Sequence, residues 1–158
     1  MSETFISYSR KDSDFVRHLH DALASDGRES WIDWKAIPPT AEWWKEICSA
    51  IEQADNFLFV LSPDSCASET CREELSYAEV NHKRLLPVLH RSVKRKDLPA
   101  SLARIQWITF RKIDFETAVR YLVQALDTDL DWIRLHTRLL LRAREGSVAK
   151  TRGADLLG

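Results

Sequence analysis

Glycine is what this sequence has least of: four residues in 158, with none between Arg28 and Glu145. A P-loop and a dinucleotide GxGxxG turn both bring bare backbone against pyrophosphate, where a Cβ would intrude. Ordinary NTPase and Rossmann readings are therefore poor. A Ser-His-Asp hydrolase needs its nucleophile on a glycine-flanked elbow. Ser62 follows an apolar run, but Pro63 comes next and no glycine flanks it.

Cysteine is scarce too. Cys48, Cys66 and Cys71 are odd in number and lie in helical or loop surroundings, which suits buried free thiols in a reducing compartment better than a disulfide framework. Metal-ligand spacing is missing: His18 and His20, two apart on a helix, diverge, and Cys66 with Cys71 has no second pair. No metal site and no resident cofactor are expected. Residues 1–10 are too polar for a signal peptide, and no later run approaches a membrane span, so the expectation is a cytoplasmic protein with no membrane partner. Neither charge sign dominates, 23 basic against 24 acidic residues, and no nucleic-acid partner is expected.

What is present suffices for one well-buried core, with 44% of the residues hydrophobic. Short runs rich in β-branched and aromatic residues predict strands at Thr4 to Tyr8, Ser30 to Asp33, Asn56 to Leu61 and Leu85 to His90, with a weaker one at Gln106 to Phe110. Between them lie helical spacings: Phe15, Val16, Leu19 and Leu23; Trp44, Ile47, Cys48 and Ile51; Cys71, Leu75 and Ala78; and Phe115, Ala118, Leu122 and Leu126. Arg91 to Leu102 shows no period and reads as a surface connection with one helical turn. The run Phe57-Leu-Phe-Val-Leu61 is apolar without alternation, as a parallel strand covered on both faces requires, and belongs at the sheet centre.

Right-handed crossovers then give an α/β fold: a flavodoxin-like, doubly wound, five-stranded parallel sheet with helices on both faces. Ligands of such sheets gather at the carboxyl ends of the strands, here after Tyr8, Asp33 and Leu61. The polar residues at those ends are Ser9 and Arg10, Asp33 and Trp34, and Ser62 through Ser68, after which the next helix presents Glu74. Beyond Asp127, Trp132, Leu135, Leu139 and Leu140 keep helical spacing among Arg134, Arg138, Arg142 and Arg144, predicting an appended amphipathic helix and linker over 129–158.

Four ordered motifs, Phe5-Ile-Ser-Tyr-Ser9, Trp31-Ile-Asp33, Phe57-Leu-Phe-Val-Leu-Ser62 and Cys71-Arg-Glu-Glu-Leu75, resemble the TIR domain family over roughly Thr4 to Asp127. A TIR domain over 1–128 is the expected organisation. The tail, with Asp131-Trp-Ile-Arg-Leu-His136, is similar to linkers that join bacterial TIR domains to β-propeller repeats, implying downstream domains in a longer chain. The resemblance implies two activities: homotypic TIR-TIR assembly in signalling or defence, and cleavage of the nicotinamide N-glycosidic bond of NAD as substrate. A signalling adaptor acting by assembly alone is the alternative.

In enzymatic relatives the essential glutamate lies three residues after the cysteine of a WCxxE-like segment, which the resemblance carries to Glu74, with Thr70 where the tryptophan would stand. It likewise implies Ser68 and Arg10 as supporting residues, and Tyr8, Ser9, Asp33 and Trp34, at or just after the strand carboxyl ends, complete the expected substrate-binding set. A carboxylate beside the ribose stabilises an oxocarbenium-like state, as in glycosidases. Glu74 lies about 100° from Leu75 on the helix, at the edge of the apolar stripe, where partial desolvation raises a carboxyl pKa. Three residue-level alternatives stand beside this. Glu73 and Glu74 also suit first-turn acids favoured by a helix N-terminus, Ser68 also suits an N-cap, and Arg10 also suits a surface ion pair with Asp12 or Asp14.

Overall fold

A computed structural model describes residues 3–33 and 40–128. Five strands, β1 (Thr4–Ser7), β2 (Ser30–Trp31), β3 (Asn56–Leu61), β4 (Arg84–Leu89) and β5 (Ile108–Thr109), form one sheet in the order β2-β1-β3-β4-β5. Every pairing is parallel. This is the doubly wound, flavodoxin-like order. The helices are α1 (Ser13–Ser25), α2 (Ala41–Gln53), α3 (Pro63–Ala67), α4 (Glu69–Val80) and α5 (Ala100–Ala103), and residues 115–128 are also helical. The chain divides into two units, Met1–Tyr121 and Leu122–Gly158, and the whole sheet lies in the first. The amphipathic helix expected beyond residue 128 falls outside the described residues. Among the described residues no helix is long and apolar enough to cross a membrane.

Every residue of β3 is buried, as its unbroken apolar run requires when both faces are covered. Period-two alternation sends Phe5, Phe57, Phe59 and Leu61 to the face packed with Ile47 and Ile51 of α2 and with Cys71, Leu75 and Ala78 of α4. Ile6, Leu58 and Val60, on the opposite face, are equally buried, as is the α1 stripe of Val16, Leu19 and Leu23. Phe5 pairs in register with Trp31 on one side and Phe57 on the other, and the three rings stack across the sheet at 5.0 and 5.5 Å. That row fixes the depth of Trp31 at the carboxyl end of β2.

Helix α1 ends in a Schellman turn, with Arg28 N–H donating to the Leu23 carbonyl and Gly27 N–H to that of Ala24. Gly27 takes φ +75° at its αL position, which feeds the chain into β2. Helix α4 closes with the same pair of bonds, Lys83 to Ala78 and His82 to Glu79, but His82 holds φ 55° where glycine is favoured. The glycine shortage is thus met with a side chain in a strained position. Helix α3, unexpected after Ser62-Pro63, is nucleated by a reciprocal cap. Ser62 Oγ accepts from Ser65 N–H, the Ser65 side chain bonds Ser62 N–H, and Pro63 stands at the first helical position.

Candidate active site

Four positions of α4, Cys71, Glu74, Leu75 and Ala78, are buried and recur at i, i+3, i+4 and i+7. One core position of an amphipathic helix therefore holds a carboxylic acid, 7% exposed. A buried carboxyl requires a partner, and Ser7 at the carboxyl end of β1 supplies one: its hydroxyl donates to Glu74 Oε1 at 2.8 Å. Burial is the largest influence on the Glu74 carboxyl and, with the negative charges of Asp33 and Glu73, raises its pKa to about 8 against the opposing effect of the Ser7 bond. Because α4 begins at Glu69, Glu73 and Glu74 lie past its first turn, and only Glu69 is a first-turn acid. The helix-terminus explanation for this pair is thereby removed.

Glu74 opens onto a cavity of about 380 Å³ at the carboxyl ends of β1 and β2, with Tyr8, Arg10, Asp33, Trp43 and Thr70 also on its wall. Asp33 ties this wall together. Its backbone carbonyl accepts from Tyr8 Oη at 2.8 Å, its Oδ2 accepts from Trp43 Nε1 at 2.7 Å, and Arg10 stands 3.9 Å from that same oxygen. Burial, the largest influence, pushes the Tyr8 phenol up to about 12, with Asp33 and Glu74 adding and Arg10 opposing. The Cys71 thiol rises to about 11, again mainly through burial and next through the Glu74 charge, so it is held as an inert thiol.

Most of the expected substrate set converges on this cavity: Tyr8, Ser9, Arg10, Asp33, Ser68 and Glu74 all line it. Ser68 takes the N-cap reading, accepting a 3.2 Å bond from Cys71 N–H, and also lines the cavity. Ser9 similarly caps the 3-10 turn Arg10–Asp12. Arg10 pairs with Asp33, while Asp12 is taken by Arg91 from beyond β4 at 2.8 Å. Trp34 falls outside the described residues.

Of the stretch after β3, only Ser68 reaches the cavity wall. Ser62 instead donates to buried Asp12 at 2.6 Å, and Asp64 joins Arg91 and Lys11. The crevice between β1 and β3, where the winding direction switches, is therefore filled by a polar brace, and the open cavity lies one strand over.

One side chain, Ser7, escaped the sequence reading of the site, and Trp43 was legible there only as one of three tryptophans around a loop, able to stack on a base or to anchor the loop. Ser7 was legible only as a small polar residue inside an otherwise apolar strand, and its partner lies 67 residues away. Trp43 follows a proline-containing loop beside a second tryptophan; of the pair, Trp44 packs edge-on to Tyr77 at 6.2 Å while Trp43 faces the cavity.

A buried carboxyl on a cavity wall, flanked by aromatic rings and an arginine, suits a ligand with a cationic or cation-forming centre and an anionic part. Comparison with known proteins bears on which. The sequence model of the TIR domain family matches residues 4–123. A probable 2′ cyclic ADP-D-ribose synthase of Brachypodium distachyon is 30% identical over 98 residues, covering 61% of this chain and 43% of that protein. The chain spans less than half the length of the relatives it matches in sequence. Among solved structures, the TIR domain of a Toll-related receptor from Hydra magnipapillata superposes with a TM-score of 0.68 at 20% identity, over 80% of this chain and 99% of that one. The crystal structure of the RPS4 and RRS1 TIR domain heterodimer gives 0.61 at 19% identity, over 81% and 97%. At these identities the likeness is one of fold.

Proposed function

This chain belongs to the TIR domain family, and from that premise we propose that it is an NAD glycohydrolase. The observation that carries the proposal is the burial of Glu74 at a core position of α4, bonded by Ser7 and open to a cavity with polar and aromatic walls. The reaction breaks the ribose C1′–N bond of NAD. The bonding pair goes to the nicotinamide nitrogen, neutralising the pyridinium, and positive charge develops on the ribose. Water then adds at C1′ and releases one proton, so NAD and water give nicotinamide, ADP-ribose and a proton. The Glu74 carboxylate faces the developing charge, where a fixed anion in a water-poor site acts most strongly.

The raised pKa of Glu74 fits this role. At neutral pH most Glu74 carboxyls hold a proton, given a value of about 8. An arriving pyridinium favours the ionised form, as any opposite charge nearby does. The cationic substrate thereby helps to generate the carboxylate that acts on it. Arg10, half exposed at the rim, suits the pyrophosphate.

We further propose that activity requires self-assembly and serves bacterial defence signalling, in a chain continuing into other domains. Solved relatives include a TIR domain heterodimer, which supports association through this fold. The test is nicotinamide release from NAD by the protein at high concentration or artificially clustered, beside Glu74→Ala. Release by the parent and its loss in the variant are expected. Clustering that leaves NAD intact would return the chain to the adaptor reading.

A further inference from the structure

Resting on the NAD-cleaving reading, we propose that Trp43 is the platform on which the nicotinamide ring stacks, a binding role for an α2 side chain outside the carboxylate machinery. The α4 part of the cavity wall, Ser68, Thr70, Cys71 and Glu74, offers no aromatic face. A flat cationic ring must therefore find its stacking partner on the β1, β2 or α2 side.

Four aromatic residues line that side: Phe5, Tyr8, Trp31 and Trp43. Phe5 is buried between Trp31 and Phe57, with a ring on each face, and Trp31 lies flat on Phe5 at 5.0 Å. Tyr8 is tied by its hydroxyl to the Asp33 carbonyl at 2.8 Å, and Arg10 is the largest charge acting on it, repelling a second cation against the opposing charges of Asp33 and Glu74. Trp43 is partly buried, and its Nε1–H bond of 2.7 Å to Asp33 Oδ2 limits the orientation of the indole. That bond also places the Asp33 carboxylate at the ring edge, where Arg10 at 3.9 Å offsets part of its charge and the remainder adds negative potential to the indole face. Indole is the best side chain for cation–π contact, and an ordered ring loses little freedom on binding.

Such a platform recognises the charged base of NAD and has less hold on neutral nicotinamide. It belongs to ground-state binding and product release, and predicts an effect on KM without loss of kcat. The reduced dinucleotide, whose dihydronicotinamide ring is neutral, should be discriminated against by the same face.

The experiment measures nicotinamide release by the clustered full chain in the parent, Trp43→Phe, Trp43→Leu and Trp43→Ala, with NADH as competitive inhibitor. Expected for Trp43→Leu and Trp43→Ala is a KM rise of about tenfold with kcat within about twofold, and a smaller preference for NAD over NADH. Trp43→Phe retains a π-face but cannot bond Asp33, and its KM should rise less than about threefold. Equal impairment in the Phe and Leu variants would assign the residue to bracing Asp33 and overturn the proposal. So would a KM unchanged in Trp43→Leu. A parent that releases no nicotinamide overturns the enzymatic reading and this inference together, whereas an active parent with insensitive Trp43 variants overturns this inference alone.

Discussion

The Ser7 hydroxyl reaches from the end of β1 to Glu74 Oε1 on α4 at 2.8 Å, and among the described residues it is the influence on that carboxyl that favours its charged form. Burial, Asp33 and Glu73 all act the other way. Ser7, ending β1, and Asp33, just beyond β2, thus pull one titration in opposite directions, which makes the pH profile of NAD cleavage a direct probe of the site.

With Glu74 titrating at about 8, kcat/KM should rise with pH and level off above that value, since this ratio reports the free enzyme. Ser7→Ala removes a bond to the charged form, so the midpoint should move up by roughly one unit. Activity should then fall most at neutral pH and recover at alkaline pH. A loss uniform across pH would mean that Ser7 serves only to shape the strand end.

Asp33→Asn should move the same midpoint down, because it removes a negative charge that opposes ionisation of Glu74. The asparagine Oδ1 still accepts from Trp43 Nε1, so the aromatic wall stays braced, while the Arg10 pairing is lost. A lower midpoint combined with a higher KM is expected. An upward shift would show that Asp33 acts on Glu74 by some route other than its charge.

The sheet was readable from sequence because its determinants are local. Each strand falls within a short run rich in apolar, aromatic or β-branched residues, and the structure departs from the expected ends by one or two residues, as at Ser30–Trp31 and Ile108–Thr109. Helix α3 escaped because proline after Ser62 resembles a loop start, although the same proline favours a first helical turn once Ser62 and Ser65 cap each other. Glu74 was legible through the register of the cysteine-led motif and its place on the apolar stripe. Ser7, the Trp43–Asp33 bond and the Asp12–Arg91 pair were not, since each is defined by a partner on another element: Glu74, Asp33 and, 79 residues along the chain, Asp12 itself. No periodicity encodes such pairings.

Glu74→Gln should stabilise the fold at alkaline pH while abolishing cleavage. The folded-state pKa of about 8 lies above the ordinary 4.5, so between these values the folded chain binds a proton that the unfolded chain releases. Stability tied to this group is full below about 4.5 and declines as pH rises through about 8. At about 1.4 kcal/mol per unit, the burial of charge then costs a few kcal/mol. Glutamine has the same shape, still accepts the Ser7 bond and carries no charge. Thermal melting should place the variant above the parent at pH 9 and close to it at pH 5, and a gap independent of pH would contradict the titration.

The brace at the β1/β3 crevice supports the cavity from outside it, and its removal should cost stability before chemistry. The Asp12 side chain is 1% exposed and receives Arg91, Ser62 and, at 3.6 Å, His90. Because Arg91 is 40% exposed while Asp12 is buried, removing Arg91 strands the Asp12 charge at a cost of about 1–2 kcal/mol, below that of a fully buried pair. Arg91→Ala should therefore lower denaturant stability by about that amount, softened by the Ser62 bond that remains. Asp12→Ala combined with Arg91→Ala should recover part of it, because no stranded charge is left. The 3-10 turn that Asp12 anchors also carries Arg10 to the cavity rim, so the single variant should show a higher KM for NAD with the Glu74 pH midpoint unmoved. A shifted midpoint would mean that the brace communicates with the carboxyl itself, which the separation of the two hydrogen-bond networks argues against.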